Sequence, residues 1–213
     1  RGVHEATGTF DIGNPDLAIE KATSVEIGLR RKTGPLRFEA TAFQTRFRNF
    51  IYRNITGNCD DTIDTCTSLG GAGTELNEAI YSQRDARFRG AEFQAQFDVA
   101  SLWSGVWGVD GQYDIVRATF TDGSNVPRIP PQRFGAGLFY LDPSWLARIG
   151  LLHALAQNDV SALETTTSGY NFLKAEISYT TKIRKDDMGG TEYRIGVTGD
   201  NLVLTVDPTG LTA

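Results

Sequence analysis

Between Ala91 and Val99 the side chains alternate without a break, with Ala91, Phe93, Ala95, Phe97 and Val99 on one parity and Glu92, Gln94, Gln96 and Asp98 on the other. Successive strand residues point to opposite faces of a sheet, so this stretch predicts a strand with one oily face and one wet face. The pattern recurs along the chain. Val25, Ile27 and Leu29 alternate with Ser24, Glu26, Gly28 and Arg30, and a short connection at residues 32–35 leads into a second alternating run at 36–42, which predicts a hairpin. A strand over residues 78–100 is longer than the ~9 to 11 residues a tilted strand needs to cross a bilayer. Further rows follow at Trp107, Val109, Tyr113 and Ile115, then at 134–140, 145–156, 173–179 and 193–197.

The connections alternate in length. Short turns fall at 32–35, 101–105 and 141–144, whereas 54–77, 121–131 and 157–168 read as long polar loops, and residues 8–20 read as a loop with turn chemistry at Gly13, Asn14, Pro15 and Asp16. This asymmetry predicts an all-β fold, an antiparallel up-and-down transmembrane β-barrel represented by about eight strands, with short turns periplasmic and long loops outside. Phe43, Phe47, Phe50 and Tyr52 fit either an aromatic girdle at the membrane interface or packing beneath a loop.

Composition narrows the classes. With 213 residues, 40% of them hydrophobic, and no run near the ~20 apolar residues of a spanning helix, the chain is neither disordered nor a helical membrane protein. A net charge of −5 without a cluster of Lys and Arg argues against a nucleic-acid partner. The chain opens at Arg1 in a polar segment with no signal peptide, as expected of a mature protein or a piece of one. Cys59 and Cys66 are close in a polar stretch, which points to a local disulfide formed in an oxidising compartment, with two free thiols as the alternative. A zinc site is a weaker reading still, because His4 and His153 lie far away in sequence.

Five segments, in order, carry a family resemblance: TGTFDIGNPDLAIEKATSVEIGLR at 7–30, RFEATAFQTRFRNFIY at 37–52, RFRGAEFQAQFD at 87–98, VPRIPPQRFGAGL at 126–138 and YRIGVTGDNL at 193–202. They resemble the barrel strands of TonB-dependent outer-membrane receptors. The resemblance implies a Gram-negative outer-membrane location and uptake of a scarce ligand, such as a ferric siderophore, haem, cobalamin or a metal such as zinc. It also implies energy from the TonB complex, acting through a plug domain. Residues 1–213 then correspond to part of the 22-stranded barrel such receptors build, with plug, TonB box and final strand not visible. As an open sheet, the strands would present two unpaired edges; closure into a small eight-stranded barrel is the alternative.

Candidate site residues are few. Asp60, Asp61 and Asp64, set between the cysteines, can hold a hard cation or form a solvated loop. Glu92, Gln94, Gln96 and Asp98 wet the lumen or touch a ligand or plug. Arg128 and Arg133 can meet an anionic siderophore or lipopolysaccharide phosphates, or keep a loop soluble. No GxSxG nucleophile and no GxxxxGK phosphate loop occurs, so neither an enzyme nor a cofactor is expected. Two other classes share the strand pattern: a passive outer-membrane pore or adhesin barrel, and a soluble β-sandwich or lipocalin-like binder.

Overall fold

The computed structural model describes residues 2–4, 8–59, 76–183 and 191–200, and contains no helix among them. The strands are β1 (Gly2–His4), β2 (Thr9–Ile12), β3 (Lys21–Arg31), β4 (Leu36–Cys59), β5 (Asn77–Leu102), β6 (Gly105–Phe120), β7 (Arg133–Leu141), β8 (Trp145–Ala154), β9 (Tyr170–Ile183) and β10 (Thr191–Asp200). From β3 to β10 each strand pairs antiparallel with the next, the up-and-down meander the alternation predicts. Among the described residues the sheet does not close, since β3 pairs only with β4 and β10 only with β9.

One strand falls where a loop was expected. β2 lies within residues 8–20 and runs parallel to the start of β5, from Thr9 opposite Asn77 to Ile12 opposite Ile80. The cause is length mismatch. β5 extends past the end of β6, whose pairing starts at Ala86 opposite Phe120, so the first residues of β5 would leave a bare edge. An unpaired row of N–H and C=O groups is costly, and β2 takes it. β1 adds to β2 in turn. Likewise the expected loop at 54–77 is shorter, because β4 continues to Cys59 and β5 begins at Asn77.

Register carries the oily parity across the sheet in continuous rows. One row joins Leu36, Phe97, Val109, Leu138, Ile149 and Ala175. These are not core residues: Phe97 is 44% exposed, Leu138 57% and Ile149 48%. The opposite face carries Arg37, Gln96 and Asp110 on neighbouring strands and is the better shielded side over residues 41–48, where its members are half-buried and the oily-parity members exposed. A sheet that leaves its apolar face exposed instead of burying it in a core is built to have lipid outside and water within.

The polar face is stitched by cross-strand ion pairs: Arg30 with Glu39 at 2.5 Å, Arg37 with Asp98 at 2.6 Å, Arg148 with Asp110 at 2.5 Å and Arg133 with Asp114 at 2.9 Å. Glycine opens room for bulk on this face. Phe139 lies over Gly108, where a Cβ would come within 2.2 Å of its ring, and Phe43 lies over Gly90 in the same way at 2.6 Å.

The aromatic girdle falls at the short-turn end. Trp107 stacks between Trp103 and Tyr140 with ring centroids 5.8 and 5.1 Å away, and Trp145 meets Tyr179 at 4.8 Å. Of the two readings of Phe47, Phe50 and Tyr52, packing beneath a loop holds, and the girdle reading is corrected. These three pack against Ala86, Ala118, Phe120 and Val126 on the inner face. The reason is a bulge. After Phe47 opposite Ala86 the ladder resumes at Phe50 opposite Arg84, so β4 carries one extra residue and its parity flips. Asn49 sits there at φ 56°, a left-handed conformation that Asn tolerates better than most residues.

The turn into β8 is built by Asp142, whose Oδ1 accepts the N–H of Ser144 at 2.7 Å and of Trp145 at 2.6 Å while Oδ2 accepts the Tyr140 hydroxyl at 2.8 Å. The Trp145 N–H first, then the Tyr140 hydroxyl and the Ser144 N–H, hold this carboxyl below its ordinary pKa. A carboxyl depressed by folding contributes stability above its unfolded pKa, and that contribution is lost as pH falls through the folded value. Protection of the Ser144 and Trp145 amides, corrected for intrinsic exchange, should therefore fall as the medium is taken from neutral to below pH ~3.9. Asp142→Ala should show weak protection at both ends, and pH-independent protection in the wild type would refute this account of the turn.

The inverted faces give a second test. Ala95→Arg, on the oily row, should cost ~2 to 4 kcal/mol of folding into lipid vesicles, and Gln94→Arg, opposite Glu39 and Gln112 on the wet face, less than ~1 kcal/mol. Equal losses would contradict the face assignment.

Candidate functional site

At the long-loop end the inner face closes over a small hydrophobic cluster. Phe47, Phe50 and Phe88 meet edge-on or tilted, with centroids 5.1 to 5.2 Å apart, and Tyr52 meets Phe120 at 4.7 Å. The loop at 121–132 folds down on them. The Val126 N–H donates to the Ala118 carbonyl at 3.1 Å, and Val126 is only 2% exposed. The Gln157 amide donates to the carbonyls of Ile129 at 2.8 Å and Pro130 at 3.3 Å, tying down a proline-rich segment whose prolines have no N–H to offer.

Above this floor lies a cleft of about 330 Å³, whose walls include Tyr52, Arg84, Phe120, Asp122, Arg128 and Glu164. Three elements deliver them. Strands β4 to β6 supply Tyr52, Arg84 and Phe120; the 121–132 loop supplies Asp122 and Arg128; the loop between β8 and β9 supplies Glu164. Glu164 joins the two loops, accepting the Arg128 N–H at 2.9 Å with one oxygen and the Ser161 N–H at 3.0 Å with the other. Arg84 pairs with Asp122, and its guanidinium lies 4.5 Å from the Phe120 ring centroid. Arg128 is held at φ 63° by its backbone, and its exposed guanidinium has no ion-pair partner among the described residues. The cleft therefore combines aromatic surface, a paired and stacked arginine, and a second arginine whose charge faces solvent. Such a site suits a small anion with a flat or apolar part.

The sequence candidates separate here. Arg128 lines the cleft, whereas Arg133 lies on β7 and is bound to Asp114 through two contacts at 2.9 and 3.2 Å. Glu92, Gln94, Gln96 and Asp98 stand on the wet face of β5, and Asp98 is held by Arg37 at 2.6 and 2.7 Å. Asp60, Asp61, Asp64 and Cys66 lie outside the described residues, as does the Cys59 side chain, and the disulfide reading lies there with them. Sequence reasoning missed Arg84, Asp122 and Glu164. Arg84 could have been found by following the even parity of Glu92 and Gln94 back along β5, which the extra residue in β4 does not interrupt; the other two are placed by loop contacts.

The mouth is braced by residues 13–20, the GNPDLAIE segment. Asn14 Oδ1 accepts the Asp16 N–H at 2.9 Å and shapes the turn. The Gln83 amide then clasps Ala18 from both sides, accepting its N–H at 2.7 Å and donating to its carbonyl at 2.6 Å. The bulge leaves the Asn49 N–H without a ladder partner, and Ile51 lies past the end of the β3 pairing at Lys21 opposite Arg48. Asp85 accepts the Asn49 N–H at 3.0 Å and Glu20 the Ile51 N–H at 2.7 Å. Side chains thus replace the missing sheet bonds, and that duty accounts for Glu20 in this motif.

A family model described as "TonB dependent receptor-like, beta-barrel" matches residues 2–202. The chain belongs to the TonB-dependent receptor β-barrel family. That family is one of outer-membrane receptors and transporters of Gram-negative bacteria, not of enzymes. Among solved structures, this TonB-dependent receptor chain is similar to "Copper transporter OprC", with a TM-score of 0.65 and 19% sequence identity over 88% of this chain and 26% of that one. It spans about a quarter of OprC's length, and at that identity the likeness is one of fold. No group of three or more His, Cys, Asp or Glu placed to hold a metal ion occurs among the described residues.

The brace of this receptor mouth is open to test. Glu20→Ala should cost about 1 kcal/mol locally and speed exchange of the Ile51 amide about five-fold, with distant strands unchanged. An Ile51 amide that exchanges at the wild-type rate would show that Glu20 does not hold this segment of β4.

Proposed function

We propose that this chain contributes wall and mouth to an outer-membrane receptor that imports a scarce small ligand, with energy delivered by the TonB complex through a plug domain. The cleft carries the reading: aromatic surface from Tyr52 and Phe120 with the guanidinium groups of Arg84 and Arg128, set at the long-loop end of a wet inner wall. With the long loops outside, an arriving ligand meets this end first. An anionic chelate fits the chemistry best, because carboxylate or phenolate oxygens accept charge-assisted hydrogen bonds from arginine and a flat ligand stacks on the rings. Within the set of siderophore, haem, cobalamin and metal, that favours a ferric siderophore or haem. The acidic stretch of Asp60, Asp61 and Asp64, restrained by a Cys59–Cys66 disulfide, would stand at the same end, where β4 finishes and β5 starts.

The test uses the complete gene product in cells, supplied with radiolabelled iron as ferric siderophores or as haem. Uptake should disappear when TonB is deleted, and Arg84→Gln with Arg128→Gln should weaken binding at 0 °C by about 10- to 100-fold, the loss of charge-assisted hydrogen bonding worth ~1.5 to 3 kcal/mol in total. Solute flux that persists without TonB would make the protein a passive pore. Unchanged affinity in the double variant would remove the cleft from the capture path.

A further inference from the structure

Among the described residues three arginines line the cleft, in three different electrostatic situations. Arg53 faces Asp11 at 3.7 Å, with 10% and 17% of the two side chains exposed. Arg84 pairs with Asp122, with 39% and 51% exposed. Arg128 is exposed and has no ion-pair partner among the described residues. Breaking a shielded pair strands a charge away from water and is costly, whereas an open pair is worth little and its partners exchange readily with solutes. An incoming anion therefore meets one arginine that is free and one that is already answered, yet exchangeable.

Asp122 keeps its place without help from Arg84. Its Oδ1 accepts the Ser124 N–H at 3.0 Å and the Ser124 hydroxyl at 2.7 Å, which leaves Oδ2 for the guanidinium. The turn is closed twice more, by the Gly123 N–H donating to the Phe120 carbonyl at 3.0 Å and the Phe120 N–H donating to the Ser124 carbonyl at 2.8 Å. Gly123 sits in it at φ 88°, where a side chain would be strained. Arg84 is steadied in turn by the Phe120 ring beneath it. The other carboxylate of the cleft behaves differently: Glu164 spends its oxygens on the N–H groups of Arg128 and Ser161 and covers no guanidinium. Asp122 thus occupies the position from which a ligand's carboxylate or phenolate would accept from Arg84. A ligand anion drawn there must displace it or lie beside it, and carboxylates within ~4 to 6 Å of each other repel.

We propose that Asp122 is the selectivity residue of the cleft, an internal carboxylate that fills the anion seat of Arg84 until a ligand outcompetes it. A lone small carboxylate finds only Arg128 open. A ligand already held by Arg128 and by the aromatic surface of Tyr52 and Phe120 can go on to take Arg84 as well, so the cleft favours larger, flat, multiply charged anions over the abundant small ones. The proposal rests on the reading of this cleft as a capture site.

The experiment titrates the complete gene product in detergent with benzoate and, as an uncharged probe of the same shape, benzamide, by ligand-observed NMR. Asp122→Asn keeps an oxygen for Ser124 and removes the charge, and Asp122→Ser does the same with a hydroxyl, so the turn survives in both. Each should bind benzoate about three- to ten-fold tighter than wild type, the scale of an exposed ion pair and of one nearby like charge, with benzamide changed less than about two-fold. The gain should vanish in an Arg84→Gln background and persist in an Arg128→Gln background. Binding of benzoate that is detectable only after Asp122 is replaced would support the proposal equally. It would be overturned by no gain in either variant, by an equal gain for benzamide, by a gain that survives without Arg84, or by no benzoate binding to any of these proteins. A different result refutes the cleft itself: benzoate binding in the Asp122→Asn protein that is untouched by Arg84→Gln with Arg128→Gln would place the anion elsewhere.

Discussion

The hydrogen-bond ladder between neighbouring strands is the constraint from which the rest of the molecule follows. In hydrocarbon no water is available to a bare N–H or C=O, so each must be met by the adjoining strand. From β3 to β10 the meander does this pair by pair. Where the ladder is broken, another group steps in: Asp85 at the bulge, Glu20 where β4 outruns β3, and β2 along the overhanging start of β5. With the backbone satisfied, hydrophobic burial is not asked to fold the wall. The oily side chains can then be given to lipid and the charged ones turned inward to pair with each other.

The inner face divides into two chemistries. Along the wall it is held by arginine–carboxylate pairs between strands, which tolerate water and present polar groups to whatever fills the lumen. At the long-loop end it becomes a small apolar core around Ala86, Ala118, Phe120 and Val126, of the kind found in soluble proteins. That core gives the two long connections a firm floor, and Glu164 links them above it. A capture site on loops needs such a floor, because an arginine on a freely moving loop would lose much of its binding energy to ordering.

Local signals in the sequence were sufficient wherever structure is set by a period of two. The rows at Val25 to Leu29, Ala91 to Val99 and Trp107 to Ile115 are strands because alternation survives in any register. What was not legible depends on counting across distance. β2 forms because β6 ends before β5 does, a fact written far from Thr9. Phe50 and Tyr52 point inward only because Asn49 adds a residue. Arg128 and Arg133 look alike in the sequence, yet one rides a loop and the other is a ladder residue facing Asp114. The cleft was half legible for the same reason: Arg128 stood out as a loop cation, whereas Arg84 and Asp122, 38 residues apart, meet only through tertiary folding.

The extra residue at Asn49 works as a phase shifter. Below it, odd-numbered side chains of β4 face the lumen; above it, even-numbered ones do. The identity of the mouth is therefore encoded by a count as much as by residue types. Removing one residue there would leave every amino acid of the outer segment in place and yet turn Tyr52 towards lipid and its neighbours towards water. Grafting the mouth of one relative onto the wall of another must respect that phase, so a splice made below the bulge carries its parity along, while one made above it inherits the parity of the host.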